Sequence, residues 1–84
     1  MALLSSMKNI GKTIENKLIS VGVESAEQLR DIGSKQAFLR LKACYPEVCL
    51  VHLYTLQAAI NDVMLDQLSE SVKADLKVYS DSLK

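Results

Sequence analysis

The run Lys8-Asn9-Ile10-Gly11-Lys12 carries the most specific chemistry in this sequence. Two ammonium groups flank a turn whose Asn and Gly tolerate left-handed backbone angles. A turn of that kind at the start of a helix aims backbone N–H groups outward, and a phosphate oxygen is the ligand such donors fit. Lys17, about one helical turn beyond Lys12, extends the positive surface. Lys35, Arg40 and Lys42 form a second basic set, which Arg30 is placed to join from the preceding segment. The candidate nucleic-acid surface is therefore Lys8, Asn9, Gly11, Lys12, Lys17, Lys35, Arg40 and Lys42. The competing reading is a hairpin that only closes the core, beside a solvated basic helix face. The charge balance favours that reading: 10 Lys and Arg against 10 Asp and Glu leave a net charge of zero, so non-specific attraction to phosphates is weak.

Cys44, Cys49 and His52 are the second constellation. Thiolates and imidazole are zinc ligands, and three of them leave one open position. Their spacing matches no paired C-x-x-C framework and supplies no fourth ligand, so core thiols and a helical His with one hydrogen bond are expected instead. Asp62, Asp66 and Glu70 could exchange protons only in a cleft that perturbs them. Asp66 and Glu70 fit better at the start of the last helix, where negative charge is favoured. Tyr45, Tyr54 and Tyr79 could stack bases, but they are not interleaved with basic residues, and packing at the core edge is the expectation for Tyr54 and Tyr79. No catalytic residue, cofactor or metal is predicted, and no small-molecule substrate.

These groups need helices to hold them. Met7 to Gly33 reads as turn, helix, turn, helix, with glycine at Gly11, Gly22 and Gly33 where the turns fall. Ile10, Ile14, Leu18, Val21, Val23, Leu29 and Ile32 supply the inward faces. That is the pattern of a helix-hairpin-helix unit over residues 7–33. The first helix is expected over Thr13 to Val21, with Glu15, Asn16 and Lys17 outward and Gly22 just past its end. Ser25 and Gln28 form an S-x-x-Q capping box for the second, which stops at Gly33. Ser34 then caps a third over Lys35 to Ala43, with Phe38 and Leu41 inward; Pro46 cannot continue it. Val48 to Val63 is the longest apolar pattern, with Cys49, Leu53, Leu56, Ile60 and Val63 on its stripe, and is expected to be the central helix. The last helix begins near Ser69, with Val72, Leu76, Tyr79 and Leu83 on one face. Met1 to Ser6 is expected as a frayed helical turn whose Leu3 and Leu4 cover the core. The prediction is one all-α domain over residues 1–84, a bundle of about five helices with no sheet.

The chain has 84 residues, 49% of them apolar and none of them Trp, so aliphatic groups must fill the core. No run is long enough to cross a bilayer, and MALLSSMKN lacks the features of an export signal. A cytoplasmic setting with Cys44 and Cys49 as thiols is the expectation.

The ordered series N-I-G-K at Asn9 to Lys12, L-x-x-x-G-V at Leu18 to Val23, S-x-x-x-L at Ser25 to Leu29 and I-G at Ile32 to Gly33 continues along the chain. It goes on with L-R-L-K at Leu39 to Lys42, L-Y-x-L-x-A-A at Leu53 to Ala59 and L-x-x-x-x-K-x-x-L at Leu68 to Leu76. The whole resembles the C-terminal domain of the TfoX (Sxy) family, bacterial regulators of competence for DNA uptake. Leu65 stands where family members often carry Trp, and Asn61 and Asp62 where small residues often follow the A-A pair. The resemblance implies a non-enzymatic regulatory domain that engages a protein partner in transcription, a global activator or RNA polymerase. The alternative is direct DNA binding through the first hairpin.

Overall fold

Helix α1, Lys12–Ser20, starts where Gly11 leaves extended backbone. It ends where Gly22 turns left-handed at φ 90, with Gly22 N–H donating to the Ile19 carbonyl and Val23 N–H to that of Leu18. That pair of reversed bonds is a Schellman stop, and Gly is the residue it favours. Ser25 then caps helix α2, Ala26–Cys44, its hydroxyl accepting from the Gln28 N–H. Gln28 does not reach back to Ser25 as a capping box would; its Oε1 accepts the Glu24 N–H at 2.6 Å. Tyr45, extended ahead of Pro46, closes α2.

Helix α3 spans Leu50–Ile60 and helix α4 Glu70–Ser82, with Ser69 capping α4 through the Val72 N–H. Short 3₁₀ turns at Leu4–Ser6 and Leu65–Gln67 complete the elements. The computed structural model describes residues 3–83, and among them there is no strand. Of the turn expected over Met1 to Ser6, Met1 and Ala2 lie outside the described residues. Leu4 is buried, whereas Leu3 is exposed and does not cover the core.

Among the described residues four α-helices stand where about five were expected, the second of them two helices joined across a kink. The second and third predicted helices run on through Gly33, where the backbone leaves helical angles at φ 85, ψ 163. The chain bends there without a connecting loop. Ser34 is accordingly not a solvent-facing cap. It is buried against α3, its hydroxyl donating to Gln57 Oε1 at 2.5 Å. The apolar pattern at Val48 to Val63 also overstates its helix. Val48 is buried in the approach to α3, and Cys49 is an exposed N-cap, not a member of the stripe. At the other end Asp62 takes the left-handed position at φ 58, and Val63 N–H returns to the Ala58 carbonyl.

Helix α3 is the centre of the molecule. Leu53, Leu56, Ala58 and Ala59 are fully buried on it, α2 packs along it most extensively, and α4 covers another side. Phe38, Leu29 and Leu41 from α2, Leu18 from α1 and Leu76 from α4 complete the core. Helix α1 packs on α2 rather than on α3. The first hairpin bonds to the chain just beyond the end of the central helix, and its Met7 and Ile10 join the same core.

The break at Gly33 supplies a stability test. A Cβ there would meet nothing within 4 Å, so any cost is conformational. At φ 85, ψ 163 side chains are strongly disfavoured. Gly33→Ala should lower stability by about 1–3 kcal/mol in urea unfolding; an unchanged midpoint would mean that α2 runs straight.

Candidate functional site: the first hairpin and its basic neighbours

Met7 and Ile10 are buried and anchor the first turn from both ends. Between them, the residue with positive φ is Asn9, at 69. Gly11 is extended at φ −92, ψ 178 and serves as the N-cap of α1, so the turn needs Asn9, not Gly11, for its backbone. The Asn9 amide is fully used. Its Nδ2 donates to the Val63 carbonyl at 2.9 Å and its Oδ1 accepts the Leu65 N–H at 3.1 Å. Lys8 donates to the Asp62 carbonyl at 3.2 Å. Lys8 and Asn9 are thus engaged with the α3–α4 connection.

Glu15 departs from the expected outward face. It is buried, its Oε2 accepting the Ser5 N–H at 2.9 Å, with Lys12 Nζ 3.9 Å from Oε1. Lys12 itself remains largely in solvent, its side chain 83% exposed. Helix α1 has no side-chain cap, and a Cβ on Gly11 would meet nothing within 4 Å.

The remaining basic residues are held by several parts of the molecule. Lys17 lies 3.7 Å from the Glu47 carboxylate and 5.3 Å from the centre of the Tyr45 ring. Lys42 donates to the Val48 carbonyl and sits over Phe38. These contacts bring Lys17 and Lys42 to the α2–α3 connection. Lys35 pairs with Asp75 at 2.9 Å and lies over Tyr79, which ties it to α4. Arg40 lies beside Gly22. The side chains of Lys8 and Asn9 bond to Asp62, Val63 and Leu65 in the α3–α4 connection, so these contacts do not draw the hairpin and the second basic set together.

The other candidates resolve as structure. Tyr45 shares a hydrogen bond with Ser20 at 2.7 Å, while the hydroxyls of Tyr54 and Tyr79 donate to the carbonyls of Lys73 and Lys35. All three rings are half-buried. Asp62, Asp66 and Glu70 are exposed, with Glu70 in the first turn of α4. Cys44 and Cys49 are exposed thiols, not core groups, because the helix starts one residue beyond Cys49. His52 Nδ1 accepts the Cys49 N–H at 3.2 Å and lies 3.6 Å from its sulfur. Among the described residues no three His, Cys, Asp or Glu side chains gather as a metal site would require.

Two grooves adjoin the predicted site residues. One, of about 500 Å³, lies between the Gly33 bend and α4, and its polar groups Ser34, Gln57, Lys35 and Asp75 pair among themselves. The other, of about 400 Å³, adjoins the hairpin and is lined by Asn9, Tyr54, Met64, Leu65, Asp66 and Lys73. Its wall is mainly apolar, and Met64 is 49% exposed. Sequence reasoning missed this groove. The available signal was the apolar pair Met64-Leu65 between two polar stretches, where a loop alone has no need of it.

The family model of the TfoX C-terminal domain matches residues 1–79. A crystal structure of an uncharacterized protein from Listeria monocytogenes, in a triclinic form, superposes with a TM-score of 0.95 at 40% identity, covering 98% of this chain and 93% of that one. A protein of unknown function from the same organism, in a tetragonal form, gives a TM-score of 0.93 at 40% identity, with 96% and 99% covered. No curated protein matches the chain.

The hairpin geometry separates its two conspicuous residues. Asn9→Val removes two hydrogen bonds and places a β-branched residue at positive φ, and should cost about 2–4 kcal/mol in urea unfolding. Gly11→Ser has open space and gains a capping hydroxyl, and should be neutral or stabilise by up to about 1 kcal/mol. The reverse ranking would mean that Gly11 carries the turn.

Proposed function

The chain belongs to the TfoX C-terminal domain family, and from that premise we propose that it is a non-enzymatic regulatory domain that engages a protein partner in transcription. The observation that carries this reading is the closure of the first hairpin. Asn9 and Lys8 are committed to the α3–α4 connection, and beside them lies the apolar groove with Met64 exposed. A groove walled by Tyr, Met and Leu and edged by one acid and one base suits a protein side chain better than a phosphate. The zero net charge agrees with that preference. Competence regulators of this family act with a global activator at their promoters, so the proposed partner is that activator or RNA polymerase. No helix among the described residues is long and apolar enough to cross a membrane, and a cytoplasmic site of action fits the proposal.

Direct contact with DNA is the second reading, favoured by the uncapped N-terminus of α1 with Lys12 in solvent beside it. Backbone N–H groups there suit a phosphate oxygen.

One set of titrations distinguishes the two. Immobilised domain should retain the purified activator or RNA polymerase, and Met64→Asp should weaken that complex by about tenfold or more at an unchanged melting temperature. Retention of neither partner would count against the first reading. Duplex DNA at low salt should leave the Gly11 to Thr13 amide resonances in place; saturable shifts there, lost with Lys12→Ala, would establish the second.

A further inference from the structure

The apolar groove beside the hairpin carries two charges that nothing among the described residues neutralises. Asp66, from the Leu65–Gln67 turn, and Lys73, from α4, both line it. Neither side chain has a hydrogen-bond or ion-pair partner among the described residues, and the two do not reach each other. For Lys73 this is exceptional. Lys17, Lys35, Lys42 and Lys73 are all half-buried. Lys17 pairs with Glu47, Lys35 pairs with Asp75, and Lys42 donates to the Val48 carbonyl. Lys73 has no such acceptor. A half-buried ammonium has given up part of its water, and an acceptor carried by a docked chain replaces it. The wall that these charges border is apolar, formed by Tyr54, Met64 and Leu65. Val51, one turn before Tyr54 on α3, is exposed and extends that surface along the helix.

A free acid and a free base on one apolar surface are what a two-fold contact requires. In such a contact a surface meets itself, so each charge on one copy must find its complement on the same surface of the other. A partner of different sequence sets no such condition, since a surface of one sign serves it equally well. The zero net charge leaves no overall repulsion to keep two copies apart. Met64 is an exposed and adaptable side chain beside a recess of about 400 Å³, so the surface offers both a projection and a place to receive one. We propose that this groove docks a second copy of the chain about a two-fold axis. Each Met64 seats in the other copy's groove, and each Asp66 pairs with the other copy's Lys73. The contact is at the small end of specific interfaces, so the dimer is weak and reversible. The docking stands apart from the reading of this groove as a site for a transcription partner, whereas its regulatory consequence rests on that reading. The dimer covers the groove, so self-association and capture of that partner exclude one another.

Sedimentation velocity of the full chain at low salt, up to about 1 mM protein, should show a reversible monomer–dimer equilibrium. Asp66→Lys and Lys73→Glu should each weaken the dimer by about tenfold or more, because both symmetry-related pairs then carry like charges. Mixing the two variants should restore it. In the mixed dimer each altered side chain faces an opposite charge, so association should return to within about threefold of the wild type. Met64→Asp should also weaken the dimer, and melting curves check that each variant is folded. A monomer throughout the concentration range would overturn the proposal. So would a dimer indifferent to Asp66→Lys and Met64→Asp, or folded charge variants that fail to associate when mixed. No other protein enters this assay, so its outcome is independent of whether the domain retains the activator or RNA polymerase.

Discussion

Asn9 occupies the left-handed turn at φ 69 and spends both ends of its amide on residues 54 and 56 positions further along the chain. Those two bonds hold the start of the molecule against the exit of its central helix. They also satisfy the Val63 carbonyl and the Leu65 N–H. The left-handed backbone is what aims the amide there, and Asn among non-glycine residues enters that region at low cost. Helix α1 packs on α2, and Gly22 and Ser25 shape the turn between them. The arrangement α1 on α2, α2 on α3, α3 on α4 buries Leu53, Leu56 and Phe38.

The helical plan was legible in the sequence because its signals are local. Gly22 after a 3.6-residue pattern, Ser25 three positions before Gln28, Pro46 after Tyr45 and Ser69 before α4 each act within one turn of their own position. The inward sets were legible for the same reason, since Leu18, Leu29, Phe38, Leu41 and Leu76 recur at helical spacing and are buried. What could not be read was long-range. Nothing around Asn9 announces Val63 or Leu65 as its partner, and so local preference alone leaves both Asn9 and Gly11 open as the left-handed residue of the turn. Glu15 looked like a surface residue because its partner, the Ser5 N–H, belongs to a turn with no periodicity of its own. Gly33 reads as the end of one helix and the start of the next, and the backbone leaves helical angles there, with the two helices abutting across a kink and no loop between them. A glycine says that the chain may leave helical angles, and packing of Ser34 on Gln57 decides that it resumes at once.

The same division governs the candidate site. The sequence identified which residues are basic, but their neighbours determine what they are for. Lys17, Lys35 and Lys42 each lie over an aromatic ring. In that position the methylene stem covers apolar surface while the ammonium stays near water. Part of the positive charge in this domain is therefore a consequence of covering the edges of Tyr45, Tyr79 and Phe38. Lys12 differs, since its side chain is 83% exposed and no ring lies under it. A count of lysines treats these cases alike, although Lys12 extends into solvent beside Glu15 while the others lie against rings.

That distinction bears on whether a domain of zero net charge can hold duplex DNA. Affinity for duplex DNA grows with the number of phosphates neutralised, and each contact must come from a cation able to leave its present partner. Lys35 would have to leave Asp75, Lys17 would have to leave Glu47, and Lys8 would have to leave the Asp62 carbonyl. Such exposed pairs are individually weak, so none of them forbids the exchange. Each exchange nevertheless offsets part of the gain and uncovers the carboxylate of Asp75 or Glu47 near the phosphates. A protein partner asks for no such rearrangement, because the Tyr54, Met64 and Leu65 wall is already formed by the joint that Asn9 closes. The interaction that organises the fold and the surface offered for recognition are therefore consequences of the same amide.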